Sequence, residues 1–232
     1  MSIFDLMGHR LLSRLEETVR ASSFIVSDAN LSPETFKELM RLSSAGNTPV
    51  FFDGTSDPKS VLPVVTNTLS NIDVLKVNAS ELSMMVVAAL RAGMVSEERQ
   101  VEATIALRTA SSPASMLSLA VLVHQLQCRD GIPYSAVGKH VFVTLGSQGV
   151  LWVGVGSDRL RHYASLPAAP IEAEAVVSTS GAGDCFLSAI VCGLLRGMSL
   201  DIHRDDAIVR RALVLARDSL RSRGPVPSSF SS

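Results

Sequence analysis

The residues best suited to chemistry lie in Ser178-Thr179-Ser180-Gly181-Ala182-Gly183-Asp184-Cys185-Phe186, where a glycine-rich turn runs into a helical pattern carrying Leu187, Ile190, Val191 and Leu194. Glycines at 181 and 183 let the backbone approach an anion closely. The first N–H groups of the following helix are unpaired donors, and the helix dipole adds positive potential. The pattern reads as a phosphate cradle. A carboxylate inside it, Asp184, suits a base that takes a proton from a hydroxyl attacking the phosphate. The same residues also fit an ordinary glycine-containing helix start with Asp184 as a first-turn acid complementing the dipole, and local physics leaves both readings open.

Weaker candidates surround it. In Asn78-Ala79-Ser80-Glu81, an Asn at the N-cap and a Glu three residues on make a plain capping arrangement. Thr144-Leu145-Gly146-Ser147-Gln148-Gly149 is, by itself, a hairpin turn. Two motif matches fail on spacing. Seven residues separate Gly131 from Lys139, and His140 follows, so the stretch is not a phosphate-binding Walker loop; Gly146, Gly149, Gly154 and Gly156 do not form a dinucleotide fingerprint. The three cysteines, Cys128, Cys185 and Cys192, and the five scattered histidines lack metal-type spacing.

The elements that must position these residues alternate short β-rich runs with longer helical patterns, the signature of βαβ units and a mostly parallel sheet. Strands are predicted at Phe24–Val26, Pro49–Phe52, Val74–Val77, Val141–Thr144 and Val150–Val153, with a last one at Ala175–Val177. Ser32 as N-cap and Pro33 in the first turn open a helix that closes near Gly46. Further helices are predicted at Lys59–Leu69, Glu81–Ala92, within Ser96–Ser112, and at Pro113–Cys128, Ala182–Gly197 and Asp205–Leu220. Polar residues collect where strands end: Asp28 and Asn30, Asp53 and Thr55, Asn78 and Glu81, Thr144 and Gly146, then Ser178 to Asp184. In an open α/β sheet that edge is the ligand crevice.

Composition narrows the classes. The chain has 232 residues, 47% hydrophobic, with 21 basic and 22 acidic side chains, so it can bury a sizeable core and carries no bulk charge that selects nucleic acid. Mean hydropathy is +0.29, yet the greasiest runs, Met84–Leu90 and Met116–Val123, fall short of the roughly 18 apolar residues a spanning helix needs. No basic-then-apolar leader follows Met1, so a cytoplasmic protein is expected, with no membrane or nucleic-acid partner.

In these motifs the chain resembles the ribokinase-like (PfkB) family of carbohydrate and nucleoside kinases, whose C-terminal signature runs Asp-Thr-x-Gly-Ala-Gly-Asp-x-Phe. Thr179, Gly181, Ala182, Gly183, Asp184 and Phe186 match it, and Ser178 stands where the leading Asp is usual. The resemblance implies Asp184 as catalytic base and the backbone of Gly181, Ala182 and Gly183 as the anion hole for the transferring phosphoryl. Asn78 to Glu81 resembles the family's Asn-x-x-Glu motif, which implies a role in positioning Mg2+, through water. Thr144, Gly146 and Gly149 match a Thr-x-Gly-x-x-Gly turn beside ATP, and Ala207 through Gly224 looks like the helix and loop that close over adenine.

The implied architecture is α/β, a three-layer α/β/α arrangement with a mostly parallel central sheet over residues 1–224, followed by a frayed tail at 225–232. The implied co-substrate is ATP, with Mg2+ and a monovalent cation as cofactors and a nucleoside or sugar as acceptor. The resemblance covers the C-terminal portion of a typical member; the N-terminal strands and lid that hold the sugar have no counterpart, and an uncovered sheet edge suits a homodimer. Asp28-Ala29-Asn30-Leu31 and Phe52-Asp53-Gly54-Thr55-Ser56-Asp57-Pro58-Lys59 look most similar to the pseudouridine kinase branch. A sugar kinase of ribokinase or fructokinase type, and a catalytically impaired remnant that binds nucleotide or a partner chain, are the alternatives.

Overall fold

Six strands lie across one sheet in chain order: β1 Ile25–Asp28, β2 Val50–Asp53, β3 Val74–Asn78, β4 His140–Thr144, β5 Val150–Val155 and β6 Arg161–Leu166. The computed structural model describes residues 12, 14–128, 137–155, 159–202 and 205–222. Its contacts divide the chain into two units, residues 1–143 and 144–232.

In the first unit, β1 pairs with β2 and β2 with β3, both in parallel, and the register puts Asp28 opposite Asp53 and Asp53 opposite Lys76. Every residue of β2 is buried, as is β3 from Val74 to Val77, which suits strands covered on both faces. Phe51 and Phe52 point to opposite faces of β2. Phe51 meets Phe24 edge-on at 5.2 Å, and Phe52 meets Phe36 at 5.3 Å.

The helices follow their caps. Helix α1 spans Glu16–Ala21. Helix α2 spans Pro33–Gly46; the Ser32 hydroxyl accepts the Thr35 N–H at 3.2 Å, and Asn47 ends the helix in the left-handed region at φ +51°. Its apolar face buries Phe36, Leu39, Met40 and Leu42, each contributing on the order of 1.5–3 kcal/mol of burial. Helix α3 is only Leu62–Val65, and a 3-10 turn follows at Leu69–Asn71. The longer helix expected over 59–69 is interrupted at Asn67, which sits at φ +56°. Helices α4 Ala79–Arg91, α5 Glu97–Arg108 and α6 Pro113–Gln127 complete the unit.

At the amino ends of the strands, opposite the expected crevice, lies a buried ion pair. Lys139 donates to the Ser70 carbonyl at 2.8 Å, the Ile72 carbonyl at 2.9 Å and Asp73 Oδ1 at 3.2 Å, while Asp73 Oδ2 accepts the Val50 N–H at 2.8 Å. Lys139, the end of the failed Walker match, therefore holds the strand ends together. Residues 131–136 of that stretch lie outside the described residues.

In the second unit, β5 and β6 pair antiparallel from Val150 opposite Leu166 to Val155 opposite Arg161. Strand β6 has no counterpart among the sequence expectations; its outward side chains, such as Tyr163 at 65% exposure, break the apolar pattern that marks a buried strand. Helices α7 Ala182–Leu195 and α8 Ala207–Leu220 pack closely at Gly193, where an added Cβ would stand 2.6 Å from Ile208 Cδ1. The strand expected at Ala175–Val177 is not formed. Ala173–Ala175 is a 3-10 turn, and the N–H groups of Val177 and Ser178 both donate to the Leu220 carbonyl, at 2.8 and 3.2 Å. The C-terminus of α8 thus takes the hydrogen bonds a sheet neighbour would have taken. Gly224 and the tail at 225–232 lie outside the described residues. No helix among the described residues is long and apolar enough to cross a membrane.

Candidate functional site

The glycine-rich turn is built as the residue types require. Gly181 is the residue before α7 and sits at φ +83°, a left-handed conformation, with no side chain capping the helix. The first intrahelical bond runs from the Cys185 N–H to the Gly181 carbonyl at 2.9 Å. Among the described residues, the N–H groups of Ala182, Gly183 and Asp184 therefore have no partner, and they point out of the positive end of a 14-residue helix. Asp184 is exposed, and its carboxylate makes no hydrogen bond or ion pair among the described residues. Behind it, Cys185, Phe186 and Leu187 are buried. Burial pushes the Cys185 thiol up, a hydrogen bond with Ser219 opposes this, and the Asp184 charge adds to the rise.

The turn after β4 distinguishes its glycines. Gly146, at φ +58°, faces open space, whereas a Cβ on Gly149 would stand 2.1 Å from the Leu166 carbonyl oxygen and 2.5 Å from the Ala168 nitrogen. Packing against the end of β6 accounts for the second glycine, while the first leaves a surface a ligand can approach. Thr144 ends β4 half-buried beside them. Ser178 offers a hydroxyl that accepts the Ser180 N–H at 3.1 Å and no charge, so at this position the segment does not supply the anionic ligand a monovalent cation would want.

In the first unit, the carboxyl ends of β1, β2 and β3 carry a linked polar cluster. Opposed by register, Lys76 and Asp53 form a buried pair, with Nζ 3.0 and 2.9 Å from the two carboxylate oxygens. Asp53 Oδ1 also accepts the Thr55 N–H at 3.0 Å, and Thr55 Oγ1 accepts the Ala29 N–H at 3.2 Å, tying the loop after β2 to the end of β1. Thr55 is held at φ +65°, a conformation β-branched residues rarely adopt. Asp28 accepts from the Asn30 amide, Asn30 Oδ1 accepts from Lys59, and Asp57 accepts from the Ser80 hydroxyl.

Asn78 and Glu81 are brought together as a complete capping box. The Asn78 side chain accepts the Glu81 N–H at 2.9 Å and Glu81 Oε2 accepts the Asn78 N–H at 2.8 Å. Burial raises the Glu81 carboxyl above its usual range, against the opposing pull of the Asn78 hydrogen bond and the Lys76 charge. Lys76 is occupied by Asp53, so among the described residues Glu81, at 3% exposure, has no ion-pair partner. Among the described residues no group of three or more His, Cys, Asp or Glu could cage a metal. A buried carboxylate with a neighbouring amide suits instead a hydrated Mg2+ held mainly by water and phosphate.

Lys76 and the Asp57–Ser80 bond have no place in the sequence reading. A signal for the first existed: a lone Lys inside the apolar run Val74-Leu75-Lys76-Val77 needs a buried partner. The structure groups Thr144, Gly146, Gly149 and Gly181 to Asp184 in one unit and Asn78 with Glu81 in the other.

The family model described as pfkB family carbohydrate kinase matches residues 126–228, a stretch that contains both glycine turns. No curated protein matches the chain. Similar solved structures include adenosine kinase from Schistosoma mansoni in complex with 2-fluoroadenosine, at TM-score 0.68 and 15% identity over 97% of this chain and 57% of that one. Ribokinase from Arabidopsis thaliana, complexed with ribose and ATP, matches at 0.59 and 22%, over 91% and 55%. Ribokinase from Giardia lamblia matches at 0.62 and 19%, over 94% and 60%. At these identities the likeness establishes the fold, an α/β fold with a mostly parallel sheet as in the ribokinase-like kinases. The chain spans between 55 and 60% of the length of these three structures.

Proposed function

We propose that the chain is the nucleotide-binding and catalytic portion of an ATP-dependent phosphotransferase acting on the primary hydroxyl of a nucleoside or sugar. The observation that carries this reading is the uncapped start of α7, with three N–H groups and the Asp184 carboxylate left without partners among the described residues, inside the stretch matched by the pfkB family carbohydrate kinase model. In this reading residues 1–224 form one kinase domain.

The mechanism follows from those groups. The N–H groups of Ala182, Gly183 and Asp184, together with the helix dipole, hold the γ-phosphoryl of ATP and stabilise the charge on its equatorial oxygens. Asp184 takes the proton of the acceptor hydroxyl as that oxygen bonds to phosphorus. The bond from phosphorus to the β,γ-bridging oxygen breaks, and ADP leaves with its electron pair. Gly146 and Thr144 line the approach of the nucleotide. Asn78 and Glu81 would hold Mg2+ through its waters, and the ion supplies charge neutralisation on the phosphates when bound. Most of the acceleration comes from positioning and electrostatics.

For the acceptor we favour pseudouridine. The support is that the two segments resembling the pseudouridine kinase branch, residues 28–31 and 52–59, are linked in space through Asp28, Asn30 and Lys59. A second reading, a remnant that binds nucleotide without turnover, is favoured by Ser178 in place of an acid. Calorimetric titration with Mg·ATP, followed by ADP release with pseudouridine, adenosine, ribose and fructose as acceptors, separates the readings. Saturable binding with turnover of one acceptor supports the kinase and identifies its substrate. Binding without turnover of any favours the remnant, and a folded chain that binds no nucleotide overturns the kinase reading.

A further inference from the structure

The position after β2 is pinned from two sides. The Gly54 N–H donates to the Lys76 carbonyl at 3.0 Å, extending the β2/β3 ladder one step past Asp53. On the far side the loop is fastened to the first turn of α4 by the Ser80–Asp57 bond and by Ser60 Oγ, which donates to the Asp57 carbonyl at 2.8 Å and the Glu81 carbonyl at 3.3 Å. Into the space left by the missing side chain of Gly54 comes the Glu81 carboxylate. A Cβ at Gly54 would stand 2.6 Å from Glu81 Oε2 and 3.0 Å from Val77 Cγ1. Gly54 is absent from the positive-φ positions, so glycine is not demanded there by backbone conformation. What remains is the carboxylate.

We infer that Gly54 is a positioning residue for Glu81: by lacking a side chain it seats the Glu81 carboxylate against the Asn78 N–H, with its second oxygen left for a ligand. The ladder bond prevents the backbone from yielding, so a methyl group at 54 displaces the flexible end of Glu81 instead. That end is the part assigned to hydrated Mg2+ above, so the functional half of this inference rests on that reading, while the geometric half does not.

The test compares Gly54→Ala, Glu81→Asp and the double variant. Glu81→Asp shortens the side chain by one methylene, removing both the reach to Asn78 and the collision with a new Cβ. The first readout is hydrogen exchange at the Asn78 amide, which needs no ligand. Gly54→Ala is expected to accelerate that exchange about tenfold or more, since the amide loses its buried acceptor; in the Glu81→Asp background the same change should add less than about twofold, because coupled residues are not additive. The second readout is Mn2+ affinity by paramagnetic resonance in the presence of ATP, where loss of an outer-shell positioning group is expected to cost about 10–100-fold. Unchanged Asn78 exchange in Gly54→Ala, or an equal acceleration with and without Glu81, overturns the positioning role. Lost Asn78 protection with unchanged Mn2+ affinity keeps the positioning role and instead removes Glu81 from the metal-holding assignment.

Discussion

Helices α4 and α7 both begin beside residues expected to handle phosphate, and they end their hydrogen-bond ladders in opposite ways. Helix α4 closes on itself: Asn78 and Glu81 exchange two bonds, and Ser60 and Ser80 fasten the neighbouring loop to the same turn. Helix α7 has no side-chain cap, begins at a left-handed glycine, and leaves its first three N–H groups without partners among the described residues. A helix start that satisfies itself is suited to holding a side chain still; one that does not is suited to an anion from outside. Substitutions should therefore affect the two starts in different currencies, activity at α7 and stability around α4.

The sharpest way to break that contrast is Asp184→Asn. With the carboxylate exposed and unengaged, the variant should keep its melting temperature and its ATP affinity while kcat falls by about 10²–10⁴-fold, the usual contribution of a general base. Steady-state ADP release with the accepted hydroxyl substrate, measured beside a thermal melt, reads both. An unaltered kcat would remove Asp184 from the base role and leave it as a dipole-complementing acid.

Lys76→Met should do the reverse. It strands the buried Asp53 carboxylate, and removing one partner of a buried pair costs about 3–5 kcal/mol, read as a lower urea midpoint at unchanged slope. Met is close in volume, so the loss reports charge and not a cavity. Asn78→Ala, which opens the capping box from the other end, should cost about 0.5–2 kcal/mol. If Lys76→Met costs no more than Asn78→Ala, the pair is not the anchor of the strand ends that its geometry makes it.

How far the sequence reveals these features depends on whether the cause is local. Ser32 with Pro33, the Asn78–Glu81 box and the glycine turn at 181–183 are legible because caps and left-handed turns are set within four residues. Five of the six strands, β1 to β5, fall within two residues of their expected bounds. What escapes is whatever depends on partners distant in the chain. Val176-Val177 has the composition of a strand, yet its neighbour is the last carbonyl of α8, some forty residues later. Arg161–Leu166 has the pairing of a strand without the composition, because its exposed positions carry Arg161, Tyr163 and Ser165. The role of Gly54 is equally hidden, since nothing in Asp53-Gly54-Thr55 announces a carboxylate from residue 81.

The smallest expected effect is also the most local probe of the open helix start. A cysteine in the first turn of a helix is usually acidified by the dipole, but at Cys185 burial outweighs that influence and pushes the thiol up, with the Asp184 charge acting in the same direction. A raised thiol pKa means less thiolate at pH 8 than an ordinary cysteine carries, so iodoacetamide should label the exposed Cys192 well before Cys185; peptide mapping reads Cys128 separately. In Asp184→Asn the nearby negative charge is gone, the thiol pKa falls, and Cys185 labelling should rise by about twofold. Bound phosphate would restore a negative charge at the same place and slow the labelling again. If Cys185 in Asp184→Asn labels at the same rate with and without phosphate, no anion has settled at the start of α7, and the contrast with α4 reduces to a difference in capping alone.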